Sequence, residues 1–506
     1  MTDTFPFSLT DIQGRFGTAL YSASFVVQDG AAYWLHKGKA GKQLAVLAPP
    51  AHPTLARFQG EQHEFGEGYT LRLCPTNHAN ARALRAALPW LNPIPLGLAT
   101  SAGFGDRLGM ATPGHVRALG RVRREAPARA IMPIFAQQSI REMQRTHRSP
   151  DDVLADATWG AFQGGWGGPV GADADHLKTP ADIDACATVG FTLFTIDPGA
   201  YVDSEAEKTT PAMLEAKVVA LPWQDLESTP TDLKKRYAGV TLHIEDLAIP
   251  LDTPAVLRAA AKYGRALAHV AAMARHLASK GIPHELEISV DETETPTTPV
   301  EHIYIASELK RLGVRWVSLA PRYGGRFEKG VDYIGDPRAL AQELAIHAAI
   351  ARVLGPYKLS LHSGSDKFSV YPLIAEAAQG LVHLKTAGTS YLEALRVVAQ
   401  AKPAFFREIA SLARERYPQD RATYHVSAEL SHMPDLADLP DSRLTEILEN
   451  FHARQVLHVT FGSAIDRFGP QLLEVLRTHE EAYYAALEHH FYRHLKPFAH
   501  MATHRP

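Results

Sequence analysis

Acids and histidines gather in a few short motifs of this chain, each at the end of an apolar run. GADADHLK brings Asp173, Asp175 and His176 together, and HELEISVDETE carries Glu287, Asp291, Glu292 and Glu294. YKLSLHSGSDK carries His362, and LVHLKTAGTSY carries His383 and Lys385. Carboxylates move protons or bind cations, and a neutral imidazole is the commonest metal ligand. Three histidines at the ends of different strands, His176, His362 and His383, are therefore candidates for a facial divalent-metal site with positions left open for substrate and water. Asp175 and Glu287 then remain as carboxylates able to take and give protons. Asp291, Glu292 and Glu294 are alternative ligands, and hard oxygen donors there would favour manganese or magnesium over zinc. Gln137, Gln138, Arg141, Lys178, Lys367 and Lys385 are expected near the same rim. They suit a polyhydroxylated, anionic small molecule, because Arg and Lys bind carboxylate and amides bind hydroxyls. His425 and His458 are expected to be core or surface residues.

These residues need elements to converge them. Eight β-type runs end in polar clusters: PLGLATSAGFGDR, ARAIMPIFAQQ, PVGADADHLK, FTLFTIDPG, HELEISVDETE, RWVSLAPRYGG, YKLSLHSGSDK and LVHLKTAGTSY. Helical stretches such as VEHIYIASELKRLGV and PRALAQELAIHAAIARVLG separate them. Strand and helix alternating eight times predicts an α/β fold, a parallel TIM-type (β/α)8 barrel. TYHVSAEL and QVLHVTFGS also read as strands, so ten candidates compete for eight places. Residues 93–400 are assigned to the barrel, with a long insertion at about 198–282 between the fourth and fifth strands. Residues 1–92 read as a small N-terminal α/β module and 401–506 as a mainly helical C-terminal extension. Alternation along a barrel strand puts Glu287, Ser289 and Asp291 inward, with Ser360 and His362, His383 and Lys385, and Thr195 and Asp197. All lie near the C-terminal strand ends, where barrel active sites are built.

Composition narrows the partners. Of 506 residues, 45% are hydrophobic and 21% charged, as in ordinary globular chains. A net charge of −3 is a poor match for a polyanion, so nucleic acid is not expected as a partner. Two cysteines, Cys74 and Cys186, cannot build a disulfide framework, and a reducing cytoplasm is the natural setting. The first residues show no basic-then-apolar leader, and no run of about 18 apolar residues suggests a membrane span. SGFGDRLG is not the dinucleotide fingerprint, so no nicotinamide is expected. HSGSDK and KTAGTS, after the seventh and eighth strands, are candidate phosphate loops.

At these residues the chain resembles the tagaturonate/fructuronate epimerases of hexuronate catabolism. The stretches that carry the likeness are SAGFGDRLGMATPGHVRAL, IFAQQSIREMQRT, DDVLADATWGAFQ, GADADHLK, GFTLFTIDP, ISVDETETPT, LSLHSGSDKFSVYP, HLKTAGTSYLEA and QVLHVTFGS. They run in order from about residue 100 to about 465, and the first 90 residues match only loosely. The resemblance implies a metal-dependent isomerase acting on a keto-uronate, with one divalent ion (zinc, manganese, nickel or similar). It implies an acid/base pair at Asp175 and Glu287 and metal ligation by His176 and His362. His383 is added on geometry alone. Gln138, Arg141, Lys178, Lys367 and Lys385 are assigned to substrate. An oligomer is compatible with this reading.

The chemistry of that reaction asks for the same parts. C4 of a 2-ketouronate is β to both the ketone and the carboxylate, so its C–H is not acidified and simple deprotonation fails. A retro-aldol route works, with two carboxyl groups and a Lewis acid. A metal-dependent ketose-phosphate aldolase on the same barrel is the rival reading and would need a phosphate site. A non-catalytic sugar-acid regulator would need a DNA-reading module, and none is evident.

Overall fold

The computed structural model describes residues 5–38 and 41–502. Eight parallel strands close into a barrel: β1 (Ser101–Phe104), β2 (Met132–Ser139), β3 (Gly171–Leu177), β4 (Leu193–Ile196), β5 (Glu285–Ser289), β6 (Ser318–Ala320), β7 (Lys358–Leu361) and β8 (Val382–Thr386). Each of the eight strand runs read from the sequence supplies one of them. Thr195 pairs with Glu287 between β4 and β5, and Lys385 with Gly103 between β8 and β1, so the sheet has no edge.

The two surplus runs are not strands. TYHVSAEL is irregular, and QVLHVTFGS belongs to a helix ending at Val459 and the start of the next. Gln455–Phe461 are buried without interruption. An apolar stretch that short has the same pattern in a buried helix as in a buried strand, which is why the sequence misled.

The barrel helices are α1 (Thr112–Glu125), α2 (Pro150–Gln163), α3 (Pro180–Ala187), α4 (Thr253–Ala278), α5 (Pro299–Arg311), α6 (Pro337–Leu354), α7 (Tyr371–Ala378) and α8 (Thr389–Ala401). Three start on one device. Ser149, Thr179 and Thr298 each precede a proline at the first helical position and form a capping box with Asp152, Asp182 and Glu301. The segment 198–282 holds helices Pro211–Val219 and Pro230–Tyr237 and the hairpin Val240–Ile244/Leu247–Leu251. It then ends in α4, which packs between α3 and α5 as a barrel helix.

The C-terminal part is helical: α9 (Pro403–Asp420), α10 (Phe451–Val459), α11 (Phe461–Thr478) and α12 (Glu480–Leu495). α12 lies along α1, where Gly114 sits so close that a β-carbon would fall 2.5 Å from Leu487 Cβ. The N-terminal residues form a five-stranded antiparallel sheet in the order Val26–Gln28, Ala31–Gly38, Gly41–Ala48, Tyr69–Pro75, Glu61–Gly66. One face, with Trp34 and Leu47, is closed by Ile12 of helix Leu9–Phe16. The other, with Tyr33 and Val46, joins the main core.

Candidate active site

The deepest part of the barrel mouth is an ionic network centred on Lys385. Its Nζ lies 2.7 Å from Asp173, 2.7 Å from Asp175 and 2.8 Å from Glu287, and donates to Thr195 Oγ1 at 2.7 Å. All of these side chains are buried. Lys385 was expected to meet substrate. Its ammonium is instead surrounded by three carboxylates, which hold its pKa well above the ordinary lysine value despite burial. Ser318 Oγ donates to the other Glu287 oxygen at 2.5 Å.

Above this layer stand two imidazoles. His362 Nε2 is 2.6 Å from Glu287 Oε1, and its Nδ1 is 3.2 Å from Asp291. His176 Nδ1 is 3.3 Å from Asp197, and its Nε2 is 3.8 Å from Asp175. Strict alternation would turn His176 away from Asp175. A register shift in the β3–β4 ladder between Ala174 and Leu177, with His176 at φ 54°, lets both neighbours face the site. Burial disfavours charge on His176, but Asp175 and the Asp197 hydrogen bond outweigh it and raise its pKa to about 10. Burial likewise opposes charge on His362, and Asp291 with Glu287 raises it to about 9. Burial pushes the Asp175 and Glu287 carboxyls up. The charges of His176 and Lys385 on Asp175, and of Lys385 and His362 on Glu287, reverse this and hold both well below the usual range.

Asp175, His176 and His362 each offer one ligand atom, and these lie within 4.8 Å of one another. Two imidazole nitrogens and a carboxylate suit a borderline divalent ion. The Asp197 contact fixes His176 Nε2 as the inward nitrogen, the support that metal-binding imidazoles ordinarily have. The crowd of carboxylates that attracts protons to these rings would equally favour a cation. These residues could therefore hold a metal ion. Glu292, with His176 and Asp197, forms an overlapping group.

Several residues assigned from sequence lie elsewhere. His383 is two residues deeper on β8 than Lys385, with Nδ1 2.9 Å from Ser101 Oγ, and is not in the ligand cluster. Gln138 accepts from Arg148 at 3.1 Å on the helix side, while Gln137 faces the lumen and donates to Asp175 at 3.3 Å. A register shift in β2 between Ile134 and Ala136 sets this parity, and nothing in the sequence signals it. Lys367 is fully buried and donates to the carbonyls of Glu328, Val331 and Ser365. Burial pushes its pKa down to about 7. Ser365, Thr389 and Ser390 in the two candidate phosphate loops are buried too.

Arg141 and Lys178 do flank the site. They line a cleft of about 250 Å³ that reaches His176 and Asp197. Arg141 also pairs with Glu292 at 3.2 Å. A second cleft of about 330 Å³ reaches His362 and Asp291 and is lined by Arg322, Arg326 and Lys329, with Tyr424 and His425 of the C-terminal part. The bases come from PRYGGRFEK, which follows β6. That loop leaves the C-terminal end of a barrel strand, a signal that would have singled out these residues.

Comparison with known proteins follows the same line. A family described as tagaturonate epimerase matches residues 21–498. A tagaturonate/fructuronate epimerase of Thermotoga maritima is 41% identical over 481 residues, covering 95% of this chain and 96% of the relative. The native crystal structure of the fructuronate-tagaturonate epimerase UxaE from Cohnella laeviribosi superposes with a TM-score of 0.88 at 35% identity, covering 97% of this chain and 99% of that one. A form of the same enzyme with two glycerols gives 0.87 at 36% identity, covering 95% and 96%. With its closed parallel barrel and this match along nearly its whole length, the chain belongs to the tagaturonate epimerase family.

Proposed function

We propose that this epimerase interconverts D-tagaturonate and D-fructuronate at C4 by retro-aldol cleavage and re-addition. The observation that carries the reading is the convergence of Asp175, His176 and His362 within 4.8 Å, with Glu287 2.6 Å from His362. His176 and His362 would hold a divalent ion, which would supply Lewis-acid stabilisation of negative charge on the substrate oxygens, with Asp175 beside them left to move protons. Asp175 and Glu287 reach the site from β3 and β5 and share Lys385, which keeps both ionised and able to accept a proton. One carboxylate removes the proton of the C4 hydroxyl. The C3–C4 bond then breaks, its electron pair leaving C1–C3 as an enediolate while C4 becomes an aldehyde. The aldehyde turns its other face, the bond re-forms, and the proton, passed from the first carboxyl group to the second through Lys385, which touches both, returns to the C4 oxygen. Atoms and charge balance, and no redox partner is consumed.

Arg141 and Lys178, beside His176, are the groups we assign to the substrate carboxylate. The burial of Ser365, Lys367, Thr389 and Ser390 argues against the aldolase reading, which needs an open phosphate site. The deciding experiment incubates the purified chain with tagaturonate before and after chelation and follows fructuronate, alongside metal analysis. Fructuronate formed without free three-carbon products, lost on chelation and restored by metal, is the expected result. Undiminished turnover in metal-free protein would end the metal assignment.

A further inference from the structure

The last helix, α12, carries a second cluster that the reaction does not use. His490 and His494 are four residues apart and so share one face of α12. That face meets the loop after β7, from which Asp366 projects at φ 61°. Exposure of the three is 5%, 0% and 3%. Asp366 Oδ2 pairs with Arg454 at 2.9 Å, but Oδ1 has no hydrogen-bond partner, and neither has His490 Nε2. These two atoms are 3.4 Å apart, and His494 Nε2 is 3.8 Å from the same Oδ1. On its other side His490 Nδ1 faces Glu393 Oε1 at 3.4 Å.

His490 thus stands between two carboxylates. Whichever ring nitrogen carries the proton of a neutral imidazole, the other turns a lone pair to a buried carboxylate oxygen. Such an arrangement is costly unless a positive species lies between. The remaining contacts are those of metal-binding rings. His494 Nδ1 donates to the His490 carbonyl at 2.9 Å, so its Nε2 carries the lone pair. Glu393 is placed to take the Nδ1 proton of His490. Asp366, His490 and His494 each offer one ligand atom, and these lie within 4.8 Å of one another.

We propose that Asp366, His490 and His494 form a second divalent-cation site, structural in role and suited to zinc. His494 Nε2 now accepts the Asp366 backbone N–H at 3.0 Å and would exchange that bond for the ion. The ion would staple α12 to the loop that begins at His362, four residues before Asp366.

The test loads wild-type protein and His490→Ala by dialysis against zinc chloride and counts bound zinc. The expected result is one equivalent fewer in the variant, a loss separate from that caused by His362→Ala, with a smaller zinc-induced rise in Tm. Equal zinc content in wild type and His490→Ala would overturn the proposal. Anomalous scattering at the zinc edge from a wild-type crystal decides the matter even where the variant fails to fold. A peak between Asp366 Oδ1 and His490 Nε2 supports the site, and zinc density elsewhere with none there refutes it. Neither result depends on whether the barrel-mouth site binds metal.

Discussion

Replacing Lys385 by Met would leave Asp173, Asp175 and Glu287 buried around an uncharged side chain. Breaking a buried ion network by removing one partner costs about 3–5 kcal/mol. Lys385→Met should therefore lower the denaturant midpoint by a matching amount. An unchanged midpoint would mean that the acids already share protons, for which Asp173, raised by burial to about 6, is the obvious carrier. Asp175→Asn and Glu287→Gln keep shape and lose basicity. If they exchange protons with substrate, each should lower kcat roughly 10²- to 10⁴-fold, and near-wild-type turnover in either would remove it from that role. Arg141→Ala separates reading of the substrate from loop support. Loss of a charge-assisted bond is worth about 1.5–3 kcal/mol, roughly 10- to 150-fold in kcat/KM. That loss should appear with tagaturonate and be much smaller with tagatose, which has a hydroxymethyl group in place of the carboxylate. An equal loss on both would show that the pairing of Arg141 with Glu292 shapes the cleft and reads nothing.

At the scale of elements, eight strands were legible because each is a short apolar run that ends in polar residues at the barrel mouth. Inward positions such as Glu287, His362 and Lys385 followed from alternation alone. Alternation fails where a ladder slips. The shift in β3 brings His176 beside Asp175, and the shift in β2 exchanges Gln137 for Gln138. Both depend on pairing with a neighbouring strand, which a single chain's pattern does not encode. Ligand choice was hidden for the same reason: His383 and His362 look alike as strand-end histidines, yet they stand at different depths. Helix starts are more local and so more readable. Thr298→Ala would remove the cap that receives the Glu301 N–H at 3.2 Å, at a cost of about 1 kcal/mol. A measured loss near zero would show that packing of α5 against α4 and α6, rather than its cap, sets the helix start.

The three parts of the chain read from sequence do not have three separate cores. One buried cluster joins Tyr33 and Val46 of the N-terminal sheet, Phe104 and Leu361 of the barrel, and Leu457 and Leu487 of the C-terminal helices. Polar contacts cross the same boundaries. Lys42 donates to Gln163 of α2, Arg107 after β1 donates to the His458 carbonyl at 3.1 Å, and Tyr483 of α12 donates to the Ser390 carbonyl at 3.0 Å. The C-terminal part also walls the larger cleft through Tyr424 and His425, so the site is incomplete without it. Units that share a core in this way unfold together, whereas independent domains give separate transitions. Denaturant unfolding followed by far-UV circular dichroism and by tryptophan fluorescence should give one coincident transition. Gly114→Val tests this coupling at one point. Its side chain would meet Leu487 Cβ and Cδ1 at less than 3 Å and force α1 and α12 apart. Overpacking of that kind costs about 1–3 kcal/mol. If barrel and extension are one cooperative unit, the substitution should move the whole transition to lower denaturant with its shape unchanged. A split transition, in which only part of the helical signal moves, would show that the C-terminal helices fold on their own and merely rest on the barrel.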